Sequence, residues 1–349
     1  MKKHNRSRPR KPNRITAEDV AREIGVSVMT VSRVLNKKAN VAEGTREKVL
    51  HTAMRLGYVP NRIAQSLVTR KSFTIGVIVP EISHSFFPDV IRGIEEVVYT
   101  TRYNLLFIHS AEDQKREEAA IQTLEENQVD GILISMAQTV KKYTIYRRVV
   151  ESGKHIVFYD RCARRLGMSC VSIDDIETAR QLTGHLIQHG YKEIAHLSGS
   201  LKVSIGRDRL KGYQKALIEH NIAMNDELIV ESGFHEMGGY NAMKVLLESS
   251  KKKIPRAVLA VNDPAAFGAM QAILDMGYRI PEDIAIVGFS NDVRSAFAPT
   301  PLTTVNQQPY DIGRKAAQKL LRHIDNPDEP VEHIIVNTEH IIRRSCGCP

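Results

Sequence analysis

The sequence predicts a small all-α helix-turn-helix headpiece followed by a two-lobed α/β core of parallel sheets with flanking helices. Three observations predict it. The chain has 349 residues, too many for one hydrophobic core, so two or three folding units are expected. Its charge is lopsided: residues 1–72 carry 17 Lys/Arg and 5 Asp/Glu, a net +12, whereas residues 73–349 carry 32 and 35, a net −3. From Phe73 onward, short apolar runs alternate with helical patterns, the signature of parallel sheets covered on both faces.

The totals narrow the class further. With 42% hydrophobic and 26% charged residues, the chain reads as an ordinary globular protein. No apolar run approaches the roughly 18 residues of a membrane span. The Lys/Arg-rich start is not followed by the apolar stretch of a secretory signal. The expectation is a cytoplasmic protein with no membrane partner. A +12 block at one end points to a polyanion. Residues 1–14 read as a disordered basic tail, whereas the charges of residues 16–57 decorate periodic helices. Cys162, Cys170, Cys346 and Cys348 read as free thiols, because Cys346-Gly347-Cys348 lacks the two-residue gap of common zinc motifs. No metal and no cofactor is expected.

Thr16 and Asp19 form a Thr-x-x-Asp capping start. Val20, Ala21 and Ile24 make one apolar face, and Gly25 stops that helix. Ser27 caps a second helix over 28–36, with Val31, Val34 and Leu35 inward and Val28, Met29, Ser32, Arg33 and Asn36 outward. Two helices about three residues apart make a helix-turn-helix, whose second helix enters a DNA major groove. Arg33 suits guanine or phosphate, and Ser32 and Asn36 suit phosphate or base edges. Val28 and Met29 suit thymine methyls at the groove floor, or simple packing. A third helix is expected over 43–56, with Gly57 as its stop. Pro60 blocks its continuation, and residues 61–68 allow two helical turns, too few to stand alone in water. This segment reads either as a linker or as a hinge helix that forms against a partner, with Leu67 as a minor-groove wedge.

In the core, strands are expected at 75–79, 105–109, 131–135, 156–158, 194–197, 257–261 and 284–288. Helices are expected near 89–101, 113–127, 141–152, 177–189, 208–220, 239–248 and 264–276. About 275 residues of this alternation make two sheets, hence two lobes, divided near 171–175. Ligands of such sheets bind beyond the carboxyl ends of the strands. The segments there are Ser83 to Phe87, Asp113, Tyr159-Asp160-Arg161, the stretch up to Arg207 and Arg209, Asn262-Asp263, and Phe289 to Asp292. Polar groups converge there with aromatics, a composition that suits a sugar. Asp113 and Asp263 also stand where helix caps belong, and at least one of Phe86 and Phe87 suits the core. His196, inside a strand, reads as structural. No phosphate loop, Gly-x-Ser-x-Gly elbow or His-Glu-x-x-His motif is present, so an enzyme is not expected.

Several motifs carry a resemblance to a known family. They are Asp-Val-Ala-x-x-x-Gly-Val-Ser-x-x-Thr-Val-Ser-Arg-Val-Leu-Asn at 19–36, Gly-Tyr-Val-Pro-Asn-Arg-Ile-Ala-Gln-Ser-Leu at 57–67 and Val-Asp-Gly-Ile-Leu-Ile at 129–134. Asn-Asp-Pro-Ala-Ala-Phe-Gly-Ala-Met at 262–270, Ile-Pro-Glu-Asp-Ile-Ala-Ile-Val-Gly-Phe at 280–289 and Pro-Leu-Thr-Thr-Val at 301–305 complete the set. Across residues 15–344 the chain resembles the lactose-repressor/galactose-repressor (LacI/GalR) family of bacterial transcription regulators. The resemblance implies a homodimer that binds a near-palindromic double-stranded DNA operator. It implies a periplasmic-binding-protein-like core whose lobes are joined near 172–175, 303–307 and 331–337, and a small-molecule effector, a sugar or sugar derivative, held between the lobes.

The implied organisation is a headpiece at 15–58, a hinge helix and linker at 59–72, and a core at 73–345. One lobe takes 73–172 and 306–332, the other 173–305 and 333–345. The implied DNA contacts are Thr16, Ser27, Val28, Met29, Thr30, Ser32, Arg33 and Asn36, then Asn61, Arg62, Ala64, Gln65 and Leu67 in the hinge. The implied effector contacts are His84, Phe86, Phe87, Asp113, Arg161, Ile205, Arg209, Phe234, Asn262, Asp263, Ser290, Asn291, Asp292 and Gln307. Many members have Asp where Ser290 stands, followed here by Asn291 and Asp292, so the resemblance leaves open which of the three contacts the effector. Val203 replaces a polar residue that some purine-binding members use, and Tyr159-Asp160-Arg161 is similar to the sugar-responsive branch. The competing reading is a sugar-binding protein or carbohydrate-processing enzyme with a basic tail; DNA affinity that falls steeply with salt separates the two.

Overall fold

A computed structural model of the chain describes residues 15–35, 41–59, 71–249, 254–326 and 328–348. They fall into two compact units divided between Ser72 and Phe73.

The described residues of the first unit form three helices, α1 (Ala17–Ile24), α2 (Val28–Leu35) and α3 (Glu43–Arg55). Thr16 and Asp19 close a reciprocal capping box on α1, and Gly25 ends it at φ 70°. Val20, Ala21, Val31, Val34, Val49 and Ala53 form the small core. The apolar spacing of each helix points these residues inward, with Leu35 packed partly buried beside them, so Val28, Met29, Ser32 and Arg33 of α2 are left facing out.

The second unit builds two parallel sheets. The first lobe holds β1 (Thr74–Val79), α4 (Phe86–Tyr99), β2 (Asn104–His109), α5 (Gln114–Glu126), β3 (Gly131–Ile134), α6 (Thr144–Glu151), β4 (His155–Tyr159) and β5 (Cys170–Ser172). The second holds α7 (Asp175–Gln188), β6 (Ile194–Ser198), α8 (Ser204–Glu219), β7 (Ile229–Glu231), α9 (Glu236–Ser249), β8 (Ala257–Ala260), α10 (Asp263–Asp275) and β9 (Ala285–Val287). The chain then recrosses through β10 (Thr304–Asn306), α11 (Pro309–Asp325), β11 (His333–Ile335) and β12 (Glu339–Ile341).

The first sheet runs β11-β5-β4-β3-β1-β2 and the second β7-β6-β8-β9, every pair parallel. Alternate residues of β1 serve opposite faces. Val77 and Val79 join a core with Val90, Ile94 and Ile312, whereas Ile78 joins Ile121 and Leu124. α11 packs on β3, β4 and α4, so a helix late in the chain completes the first lobe.

Three readings change. The lobe boundary placed at 332/333 moves, because β11 (His333–Ile335) pairs with β5 as an edge strand of the first sheet. Its short, half-exposed residues carry little periodic signal. β10 and β12 pair antiparallel, which adds a small two-stranded element to the parallel plan. Cys162 and Cys170 are not free thiols but a disulfide with Cα atoms 5.9 Å apart. The loop after β4 folds back on β5 and brings them together across a separation of 8 residues, which thiol spacing alone does not reveal.

Candidate functional site

The exposed face of α2 is one candidate site. Val28 is 44% exposed and Met29 65%, beside exposed Ser32 and Arg33, while Val31 and Val34 are buried. Two apolar side chains held at a helix start and left in solvent suit contact with base methyls. The hydroxyls of Thr16, Ser27 and Thr30 take part in local caps: Ser27 Oγ accepts from the Thr30 amide at 3.1 Å, and Thr16 Oγ1 bonds Asp19 at 2.8 Å. Asn36, Asn61, Arg62, Ala64, Gln65 and Leu67 lie outside the described residues.

The second candidate is the cleft between the two sheets, with about 560 Å³ of space between atoms, part of it open to solvent. Loops at the carboxyl ends of strands in both sheets line it. The first lobe supplies Glu81, His84, Phe86, Phe87, Glu112, Asp160 and Arg161. The second supplies Ile205, Arg209, Phe234, His235, Asn262, Pro264, Phe289, Ser290 and Asp292, and Gln307 follows β10. Several contacts bridge the lobes, among them the bond from the Cys162 amide to Ser204 Oγ at 3.2 Å. His84 Nε2 lies 3.3 Å from His235 Nδ1, and Ser85 Oγ donates to Asp292 Oδ2 at 3.2 Å.

Two arginines organise the interior. Arg161 Nη1 donates to Glu112 Oε2 at 2.7 Å and to the Met136 carbonyl at 3.0 Å, with its guanidinium 5.0 Å from the Phe234 ring. Arg209 Nε donates to Asp175 Oδ1 at 2.8 Å, and its guanidinium carbon lies 3.7 Å over Phe289. Burial pushes the Asp175 carboxyl up to about 6, against the pull of Arg209. Four buried polar atoms in the lining have no hydrogen-bond partner among the described residues: His84 Nδ1 at the mouth, and Glu112 Oε1, Arg161 Nε and Gln307 Nε2. Such orphans cost free energy unless something else bonds them.

The structure separates the expected effector contacts. His84, Phe86, Phe87, Arg161, Ile205, Arg209, Phe234, Asn262, Ser290, Asp292 and Gln307 line the cleft. Asp113 does not; its carboxylate caps α5 by accepting from the Arg116 amide at 2.9 Å. Asp263 is fully buried and accepts from the Asp292 amide, Ser295 and Thr304 at 2.6–2.7 Å, so it fixes the loop that carries Asp292. Asn291 turns from the cleft and accepts from Arg343 at 2.9 Å. Asn262 reaches the lining, but its amide already caps α10 and bonds the Phe234 carbonyl at 2.9 Å.

Comparison with known proteins fits both sites. Residues 16–61 match the model for bacterial regulatory proteins of the lacI family, and residues 183–346 that for a periplasmic binding protein-like domain. Over 329 residues, 94% of this chain and 97% of the relative, the sequence is 35% identical to catabolite control protein A of Priestia megaterium. The chain belongs to the lacI family of bacterial regulatory proteins. It is a DNA-binding transcriptional repressor with an effector-binding core, a regulator and not an enzyme. Its partners are DNA and a small effector. No described helix is long and apolar enough to cross a membrane.

Two solved structures are similar over most of the chain. The complex of the transcriptional regulator CelR with cellobiose superposes with a TM-score of 0.72 at 29% identity, covering 95% of this chain and 100% of that one. The lac repressor dimer bound to operator and the anti-inducer ONPF gives a TM-score of 0.84 at 26% identity, covering 95% and 99%. Sequence reasoning left Glu81, Glu112, His235 and Pro264 out of the lining and named Asp160 and Phe289 only within candidate segments, not as contacts. Asp160 had a signal, since an Asp straight after a strand tolerates the left-handed backbone it adopts at φ 60°. Glu112 had none: its side chain is held at the cleft by partners distant in sequence, Arg161 at 2.7 Å and the Gln138 amide at 2.8 Å.

Proposed function

We propose that the cleft binds a sugar or sugar derivative and that this ligand sets the affinity of the headpiece for its operator. The orphaned acceptor Glu112 Oε1 and donors Arg161 Nε and Gln307 Nε2 carry the reading. A sugar hydroxyl both donates and accepts, so it answers all three, while Phe87, Phe234 and Phe289 offer apolar ring faces. The similar regulator CelR solved with cellobiose supports the ligand class.

The protein acts in the cytoplasm as a homodimer on a near-palindromic operator, as the dimer of the similar lac repressor supports. Val28 and Met29 select the site, Arg33 and Ser32 anchor it, and residues 59–72 couple core to headpiece, with Leu67 as the wedge. Because His84–His235 and Ser85–Asp292 span the lobes, a ligand that rewires them changes the lobe angle. A thermal-shift screen of mono- and disaccharides tests the ligand class, since a ligand of the folded state raises the melting temperature by mass action. No shift from any sugar, with a shift from a purine, would reject it.

A further inference from the structure

Among the described residues, three groups of His, Cys and Glu stand close enough to share an ion. Cys162 and Cys170, with His333, are closed by their disulfide, and His84, His235 and Glu236 belong to the cleft mouth. The third lies away from both candidate sites, where the end of the chain meets the end of α7.

We propose that Cys346 and Cys348, together with His185 and His189 of α7, bind a soft divalent cation of the zinc class. The Sγ atoms of Cys346 and Cys348 are 3.0 Å apart. Cys348 Sγ lies 3.0 Å from His189 Nε2 and 3.5 Å from His185 Nε2. The donor atoms of His185, Cys346 and Cys348 all fall within 4.8 Å of one another. Zinc–sulfur bonds of about 2.3 Å and zinc–nitrogen bonds of about 2.0 Å, set tetrahedrally, place neighbouring donors roughly 3.3–3.8 Å apart. Around an ion the two sulfurs open from 3.0 Å toward the upper end of that range and Cys348 and His189 separate slightly, while the His185, Cys346 and Cys348 donors already lie within 4.8 Å of one another.

The sequence supplies each part by a local rule. His185 and His189 are four residues apart, so the last turn of α7 presents both imidazoles on one side. Gly347 takes φ 83°, and a Cβ there would stand 2.7 Å from Tyr191 Oη, so only glycine turns both sulfurs toward the helix. Thr303 Oγ1 donates to Cys346 Sγ at 3.1 Å, an outer-sphere bond of the kind that orients a ligating thiolate. Packing accounts for buried Cys346 but leaves unexplained why half-buried Cys348 points at two histidines. An ion here clips the C-terminal arm to the helix whose first residue, Asp175, holds Arg209 of the cleft. Two soft sulfurs and two imidazoles select zinc over magnesium or calcium.

The test uses the untagged full chain, reduced and stripped of metal with a chelator, then titrated with Co²⁺ and, by competition with a chromogenic chelator, with Zn²⁺. The proposal expects one ion per chain, tetrahedral cobalt d–d bands and a thiolate-to-cobalt charge-transfer band. Cys346 is buried, so the more accessible Cys348→Ser and His189→Gln carry the comparison. Cys348→Ser halves the thiolate band, and each variant weakens Zn²⁺ binding at least about 10-fold, since even an outer-sphere change costs that much. Absence of a thiolate band in the parent chain overturns the proposal. So does a band of undiminished intensity in a Cys348→Ser chain that keeps its circular dichroism, and so does closure of Cys346 and Cys348 into a disulfide that excludes the ion.

Discussion

Gln307 Nε2 is a buried donor with no partner among the described residues, and this makes its removal informative. Replacing an unsatisfied donor by an apolar group of similar size relieves about 1 kcal/mol, while the ligand loses a hydrogen bond of about 0.5–1.5 kcal/mol. We therefore expect Gln307→Leu to melt at or above the parent temperature without sugar and to show a smaller sugar-induced shift in the same scan. At the headpiece, Arg33→Ala is expected to weaken specific operator binding by about 1–3 kcal/mol in an anisotropy titration. His196 gives a third test. Burial depresses its imidazole to about 4 from 6.5, and Nδ1 lies 3.0 Å from the Leu259 carbonyl, which the neutral ring bonds as donor. A depressed folded value means stability present above 6.5 and lost as pH falls toward 4. A shift of 2.5 at 1.36 kcal/mol each gives about 3 kcal/mol, so His196→Gln should lose roughly that much less on acidification, read from urea midpoints.

Elements were legible where both period and length were strong. α1, α2 and α3 and seven core strands fall within a residue or two of their sequence-based positions, because buried faces recur at the helical period or as short apolar runs. β5, β7, β10, β11 and β12 were missed as strands, and each has only three residues. So brief a run carries no periodicity, and its pairing is settled by what lies beside it. α11 was missed as well, although it covers the first sheet. Its contact with α4 is set by two glycines: a Cβ at Gly93 would stand 2.0 Å from the Tyr310 carbonyl oxygen, and one at Gly313 2.0 Å from that of Val90. Gly93→Ala is expected to lower stability by about 1–3 kcal/mol through overpacking, in thermal or urea melts. Gly44→Ala, on α3 with nothing within 4 Å of its Cβ, is the control and should be neutral or stabilising by up to about 1 kcal/mol.

At the scale of the whole molecule, the lopsided charge and the strand–helix alternation were enough to separate a headpiece from a two-lobed core. The lining was legible where the rule of strand carboxyl ends applied, as at His84, Arg161 and Ser290. It was not legible where a side chain is recruited by a distant partner, as Glu112 is by Arg161, or diverted by one, as Asn291 is by Arg343. The same limit hid the cysteine pairs, since Cys348 meets His189 across 159 residues of sequence. The central claim is that sugar in the cleft and DNA at the headpiece are coupled, and coupling between two binding sites is reciprocal. Operator affinity of the full chain should be titrated with and without the sugar that most raises its melting temperature, and sugar affinity with and without operator. We expect the two affinities to change by the same factor, between about 5- and 150-fold. A sugar that binds the cleft tightly and leaves operator affinity unchanged would contradict the claim.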